Sequence, residues 1–266
     1  MTSLARPGST VGRVFEHRWV QYRRTFRSTI FSSFLSPVLF LTAMGLGLGS
    51  YVSDSATNSM GGVSYLVFLA PGLLAATAMQ SAAFEATFPI MGGLVWNRVF
   101  HAMFATPISA RDIALGNLAW IDARLTLIAS IFTLVMVLFG AAKSPLVVLA
   151  IPAAVLTGMA FAAPIAAFSA TQKTPNKFNA IFRFGITPLF LFSGTFFPLE
   201  SLPEVVRPLA WLTPLYHGAA LARGLSLGTA PDDPLLAAIH VLVLVACVVV
   251  GTWVAIRTIE RRLVRG

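Results

Sequence analysis

Cysteine is nearly absent from this chain: Cys247 stands alone among 266 residues. No disulfide can close within the chain, and no cysteine-built metal site is available. Charge is almost as scarce, at 11% of residues with ten acids, against 56% hydrophobic residues. That balance excludes a soluble domain of ordinary composition. Catalytic signatures are missing too. No Gly-Lys-Ser or Gly-Lys-Thr occurs, so the chain carries no Walker-type phosphate loop. Its four histidines (His17, His101, His217 and His240) show neither H-E-x-x-H nor any other metal-ligand spacing. No close pair of carboxylates lies within one apolar run. Neither a catalytic nor a metal site is expected.

What is present is apolar length with basic punctuation. The formal charge of +9 raises nucleic acid as a partner, but the cations cluster beside apolar runs, which is the pattern of membrane topology. Residues 1–28 carry Arg6, Arg13, Arg18, Arg23, Arg24 and Arg27 against Glu16. Phe15, Trp19, Tyr22 and Phe26 recur there at helical spacing, which predicts an interfacial helix on the inner membrane surface. The first long apolar run starts near Ile30, behind this segment, and is long enough to stay as a span rather than a cleaved signal. The expected fold is therefore all-α and integral to the membrane, a single domain over 1–266.

Six transmembrane helices are expected, over about Ile30–Ser50, Val63–Ile90, Ala110–Phe139, Leu146–Ala170, Ala180–Phe197 and Leu235–Ile256. Of the nineteen Lys and Arg, only Lys143, Arg207, Arg223 and Arg124 fall outside the segments that this topology puts inside. The positive-inside rule then places both termini in the cytoplasm of a plasma-membrane protein. Gly45 and Gly49 close the first span with a spacing that permits close helix approach. Ser109 and Asp112 suit a capping box opening the third span. That span exceeds the bilayer core in length, so its first turns project inward and bring Asp122 and Arg124 near the inner interface. Glu85 reaches the same level from the second span, and an intramembrane Glu85–Arg124 ion pair is expected.

The run from Thr187 to Gly224 starts apolar and then breaks at Pro198, Pro203, Pro208 and Pro214, with charges between. No single helix crosses it. Two short helices fit: Ser201 and Glu204 form a capping box, and Thr213 caps a helix with Pro214 in its first turn. Each is too short to span, so 198–234 is expected to be a re-entrant outer hairpin and loop between the fifth and sixth spans. Gly194, Phe197, Pro198, Pro203, Pro214 and His217 are its candidate gate residues.

The order SG-x-x-FP, then LP, then TPLYH and an Arg resembles the C-terminal signature of ABC-2 type exporter permeases, most of all the lipooligosaccharide and antibiotic-resistance branch. FLAPGLLAATAM at Phe68–Met79 and TPIS at Thr106–Ser109 match as well, so the resemblance covers nearly the whole chain. It implies a coupling segment at 92–112 that docks on a separate ATPase. Arg98, Phe100, Met103, Phe104, Thr106, Pro107 and Arg111 are its candidate contacts, with Val99, Phe100, Met103 and Phe104 read as an exposed apolar knob. It further implies two ATPase copies, a second permease (identical or homologous), surrounding lipids, and no nucleic acid. ATP and Mg would be bound by the ATPase, with no cofactor in this chain. The path would run between the first span of one permease and the fifth of its partner, carrying an amphiphilic or lipid-linked cargo such as a glycolipid, oligosaccharide-lipid or drug. Two other readings stay open. One is an integral membrane enzyme acting on lipid-linked substrates through Glu85, Asp122 and His101. The other is a purely structural subunit.

Overall fold

The computed structural model describes residues 7–24, 26–47, 62–199, 204 and 207–265. Among them the chain is helical, without strands. Helix α1 is Pro7–Tyr22; α2 is Phe26–Phe40 and runs on in π geometry over Leu41–Gly47. Helix α3, Tyr65–Met91, ends in a π turn at Gly92–Trp96, and the short α4 is Val99–Phe104. Helix α5 is Ala110–Leu138; a 3-10 turn at Pro145–Leu149 leads into α6, Ala150–Thr171. Helix α7 is built from Asn176–Ala180, a π stretch Ile181–Ile186 and Thr187–Phe192. Then come α8 (Arg207–Trp211), α9 (Pro214–Leu227) and α10 (Pro234–Arg265).

Four segments are long and apolar enough to cross a membrane: Tyr65–Trp96, Ala110–Leu138, Pro145–Thr171 and Pro234–Arg265. At about 1.5 Å per residue, each exceeds a hydrocarbon core of about 30 Å. Helices α3 and α6 form the centre. Both are rich in buried alanine (Ala75, Ala76, Ala82, Ala83; Ala154, Ala162, Ala163, Ala166), which lets neighbouring backbones approach closely where lipid offers no hydrophobic driving force. Helix α10 packs on α6 through Leu244, Gly251, Ala255 and Ile259, and it leaves Leu242, Val249, Val250 and Trp253 exposed, a face suited to lipid.

The two other expected spans are shorter. Helix α2 contributes Phe34–Ala43 as its apolar core, and the expected Gly45/Gly49 contact lies outside the described residues because Gly49 does. Helix α7 starts at Asn176, before the expected Ala180, and stops at Phe192, because Gly194 takes a positive φ of 74° that ends helical geometry. Helix α3 runs through two prolines. Pro71 and Pro89 both sit inside it. Two side chains from elsewhere bond to carbonyls beside them: Arg223 to Phe68 O and Arg18 to Pro89 O.

Both sequence caps that lie among the described residues are present. Ser109 Oγ accepts from Asp112 N at 3.1 Å and Ser109 N donates to Asp112 Oδ2 at 3.2 Å. Thr213 Oγ1 accepts from Tyr216 N at 3.3 Å, with Pro214 in the first turn of α9. The Ser201–Glu204 box lies outside the described residues, since Ser201 does.

The aromatic stripe of the N-terminal segment differs from its expected geometry. The helix breaks after Tyr22, so Phe26 belongs to α2. Phe15, Trp19 and Tyr22 close around Trp120 of α5, with ring centroids 5.6, 6.4 and 5.4 Å away. Val14 is buried beside them against Gly116. Arg18 Nε donates to the buried Asn117 Oδ1 at 2.8 Å, which fixes α1 across the start of α5. Tyr22 is thereby buried, while Trp19 stays 46% exposed.

Candidate functional site

Three sequence motifs far apart in the chain meet where α9 packs on α3. Arg223, from α9, donates through Nε to Phe68 O at 3.1 Å and through NH2 to Gly194 O at 2.9 Å, and its guanidinium carbon lies 3.8 Å from the Phe68 ring centroid. Gly72, from the same Phe68–Met79 run, is the floor of this junction. A Cβ there would sit 3.0 Å from Thr195 O and 3.2 Å from Arg223 NH2. The Ser193 and Thr213 hydroxyls face each other at 3.1 Å and tie the end of α7 to the cap of α9. Among the expected gate residues, Gly194 is thus held at the junction, Pro214 starts α9, and Phe197 and Pro198 are half-buried in the segment after α7. Pro203 lies outside the described residues. Arg223 closed the recognised motif in the sequence but was not singled out as a site residue. Its range of partners is invisible without the fold.

His217 is buried and meets the equally buried His240 of α10, Nδ1 to Nδ1, at 2.7 Å. Trp211 and Tyr216 pack edge-on against the His217 ring. One imidazole must donate its N–H to the other's lone pair, so the two nitrogens hold one proton between them. A second proton would put like charges in contact. Burial also holds the His217 imidazole below its usual value, opposed by a backbone hydrogen bond at Trp211. A depressed imidazole contributes stability above the unfolded value near pH 6.5, and this is lost as pH falls further. We expect the apparent melting temperature to drop between about pH 7 and pH 5. His240→Asn should flatten that dependence, and an equally steep profile in the variant would show that the pair is not its source.

At the opposite end of the bundle, the π turn closing α3 and the short α4 form a protruding elbow. Arg98 starts α4 with a φ of 49°, a left-handed conformation that is costly for a residue with a Cβ. Phe100 corrects the expected exposed knob. It is 2% exposed, because it turns back onto Gly93, where a Cβ would come within 2.5 Å of its ring. Met103 is half-buried against the core, and Val99 is also partly covered. Phe104 is exposed, as are Arg98, Thr106, Pro107 and Arg111 around it. The Thr106 hydroxyl donates to Met103 O at 2.6 Å and Ile108 N to Thr106 O at 2.7 Å, so the TPIS turn is a rigid link into the α5 cap. Trp96, 54% exposed, extends the patch beyond the residues that the motifs mark.

Glu85 and Arg124 form an ion pair at 2.5 Å between α3 and α5, and Arg124 also lies 5.3 Å from the Tyr22 ring. Burial works against the Arg18 charge nearby, and the Glu85 carboxylate offsets it. Both partners keep some solvent contact, at 21% and 12% exposure, so the several kcal/mol of a fully buried pair is discounted to about 1–3 kcal/mol. We expect Glu85→Gln and Arg124→Gln each to lower the melting temperature and the double variant to recover part of the loss. Strict additivity would mean that the two charges do not interact. Engagement with Arg124 also occupies one of the three side chains that an enzyme reading would need.

The chain matches the ABC-2 type transporter family over residues 11–227 and belongs to that family. It is 29% identical over 252 residues to Nodulation protein J of Rhizobium leguminosarum bv. viciae, across 95% of this chain and 94% of the relative. A second Nodulation protein J, from R. leguminosarum bv. trifolii, is 29% identical over 98% of this chain and 97% of its own length. The Inner membrane transport permease YadH of Escherichia coli (strain K12) is 24% identical across 84% of both chains. The class is that of multi-pass membrane permeases with a transport role, which generally work with an ABC ATPase.

Proposed function

We propose that this chain is the permease subunit of an ATP-driven exporter in the plasma membrane. Two copies, or this chain and a homologous one, would form the path with two ATPase subunits that bind ATP and Mg. Six spans would place both termini in the cytoplasm, with α1 at the inner interface and α8–α9 re-entrant on the outer side. Support for a partner permease comes from the large apolar side chains that α2 and α7 leave exposed, among them Phe31, Leu39, Phe184 and Phe192. Closure of the ATPases would push the elbow, and α5 would carry that push toward the outer hairpin. The cargo would be amphiphilic or lipid-linked.

The observation that carries this reading is the exposed patch of Trp96, Arg98, Phe104, Thr106, Pro107 and Arg111 on a rigid turn at the end rich in cations. An apolar anchor flanked by cations suits a groove on a partner protein. The test is Phe104→Asp in the chain purified from its native membrane. Wild type should carry ATP hydrolysis through purification. The variant should lose most of it while keeping its expression and melting temperature, because Phe104 lies outside the core. Wild type without ATPase, or a variant that keeps it, overturns the docking assignment.

A further inference from the structure

We propose that Gln80, with Thr77, Ser81 and Ser36, forms an intramembrane site that hydrogen-bonds the uncharged, hydroxyl-bearing head group of the cargo. This rests on the exporter reading above and names the chemistry of its cargo. Helix α3 is buried on nearly every side except one stripe, where Thr77 and Ser81 are half-buried and Gln80 and Phe84 are exposed. Gln80 lies fifteen positions after Tyr65 and sixteen before Trp96, the limits of that span. At about 1.5 Å per residue, it sits one to two turns deeper than Glu85 and more than 20 Å from either limit, inside the hydrocarbon region.

A carboxamide at that depth is costly unless something bonds it. Among the described residues Gln80 has no hydrogen-bond partner, and its side chain is exposed. Lipid cannot satisfy it, since an unpaired amide in hydrocarbon costs several kcal/mol. Nor does the surrounding cavity look like a lipid surface. It holds about 160 Å³, walled by Ser36 and Phe40 of α2 and by Phe190 of α7, with Thr77, Gln80 and Ser81 as its floor. These helices are the ones whose exposed faces the exporter reading assigns to the path. The polar groups are one amide and three hydroxyls, donors and acceptors without net charge, beside aromatic faces. Such a lining fits the hydroxyls and C–H faces of a polyol and offers nothing to pair with an ion. The stripe continues along α3 to Phe88, which stacks with Phe182 of α7 at 6.5 Å, so the aromatic lining extends toward the elbow end.

The test uses single cysteines in a Cys247→Ser background, in native membrane vesicles without detergent. Gln80→Cys and Thr77→Cys should react with a small water-soluble methanethiosulfonate. Val249→Cys, fifteen positions into α10 on its exposed apolar face, should not react. Octyl glucoside below its micelle concentration should slow labelling at position 80 at least threefold, whereas octyltrimethylammonium and octanoate should not. Protection by all three probes alike, or by none, overturns the head-group assignment and leaves the exporter reading to the ATPase test. Failure of both cysteines to label overturns the polar site itself. A disulfide-linked dimer through Gln80→Cys under mild oxidation overturns it too, because the side chain would then be seated against a second copy. Two positions guard against one variant that fails to fold.

Discussion

Arg223→Met should release α9 and the Gly194 turn from α3 and abolish transport. The side chain bonds two main-chain carbonyls from different elements, Phe68 O and Gly194 O, and covers the Phe68 ring. Charged donors contribute about 1.5–3 kcal/mol per hydrogen bond, so losing both removes roughly 3 kcal/mol or more. For a chain of this size, that lowers the apparent melting temperature by about 6–10 °C. Arg223→Lys should fall nearly as far, because one ammonium cannot reach both carbonyls in the forked geometry of a guanidinium. Scanning fluorimetry of the purified variants reads the shift directly. A methionine variant that melts with wild type would mean that the docking of α9 on α3 does not depend on this side chain.

Gly218→Ala should be the most damaging single methyl among the described glycines. A Cβ at Gly218 would stand 2.0 Å from Thr157 Oγ1 and 2.5 Å from Thr157 Cγ2. Thr157 is wholly buried in α6, and its hydroxyl is already committed to Ala153 O at 2.7 Å, so it has nowhere to turn. Helix α9 must then move off α6. Overpacking of this kind costs about 1–3 kcal/mol and more where neighbours cannot yield. Thr157→Ala in the same chain should restore part of the loss, since only a Cβ contact at 2.8 Å remains to be relaxed. No rescue by the second change would place the damage elsewhere.

Helix positions were legible wherever local chemistry sets them. The caps at Ser109 and Thr213 follow from side chains that bond their own first turns, which needs no knowledge of neighbours. The meeting of Glu85 with Arg124 could be anticipated because span lengths and a common membrane depth leave few other partners for either charge. Phe100 illustrates the limit. Its spacing with Met103 and Phe104 is that of an exposed face, and only the bare backbone at Gly93 explains why the ring turns inward. The aromatic stripe of α1 shows a similar limit. Membrane and protein surfaces both accept such a stripe, and nothing local favours Trp120 over lipid.

The sequence by itself determined the class: composition and basic punctuation require an all-helical membrane protein, and the ordered motifs mark its family. Both depend on the bilayer as solvent, which acts on each segment separately and so leaves its mark in linear order. Only the tertiary structure decided which motifs cooperate. Phe68, Gly194 and Arg223 converge, His217 meets His240, and Gln80 is left facing a polar cavity, because these contacts join elements far apart in the chain. Helix packing sets them through close approach of small residues and through partners for each buried polar group. Those are pairwise properties of two surfaces, and no single stretch of sequence contains them.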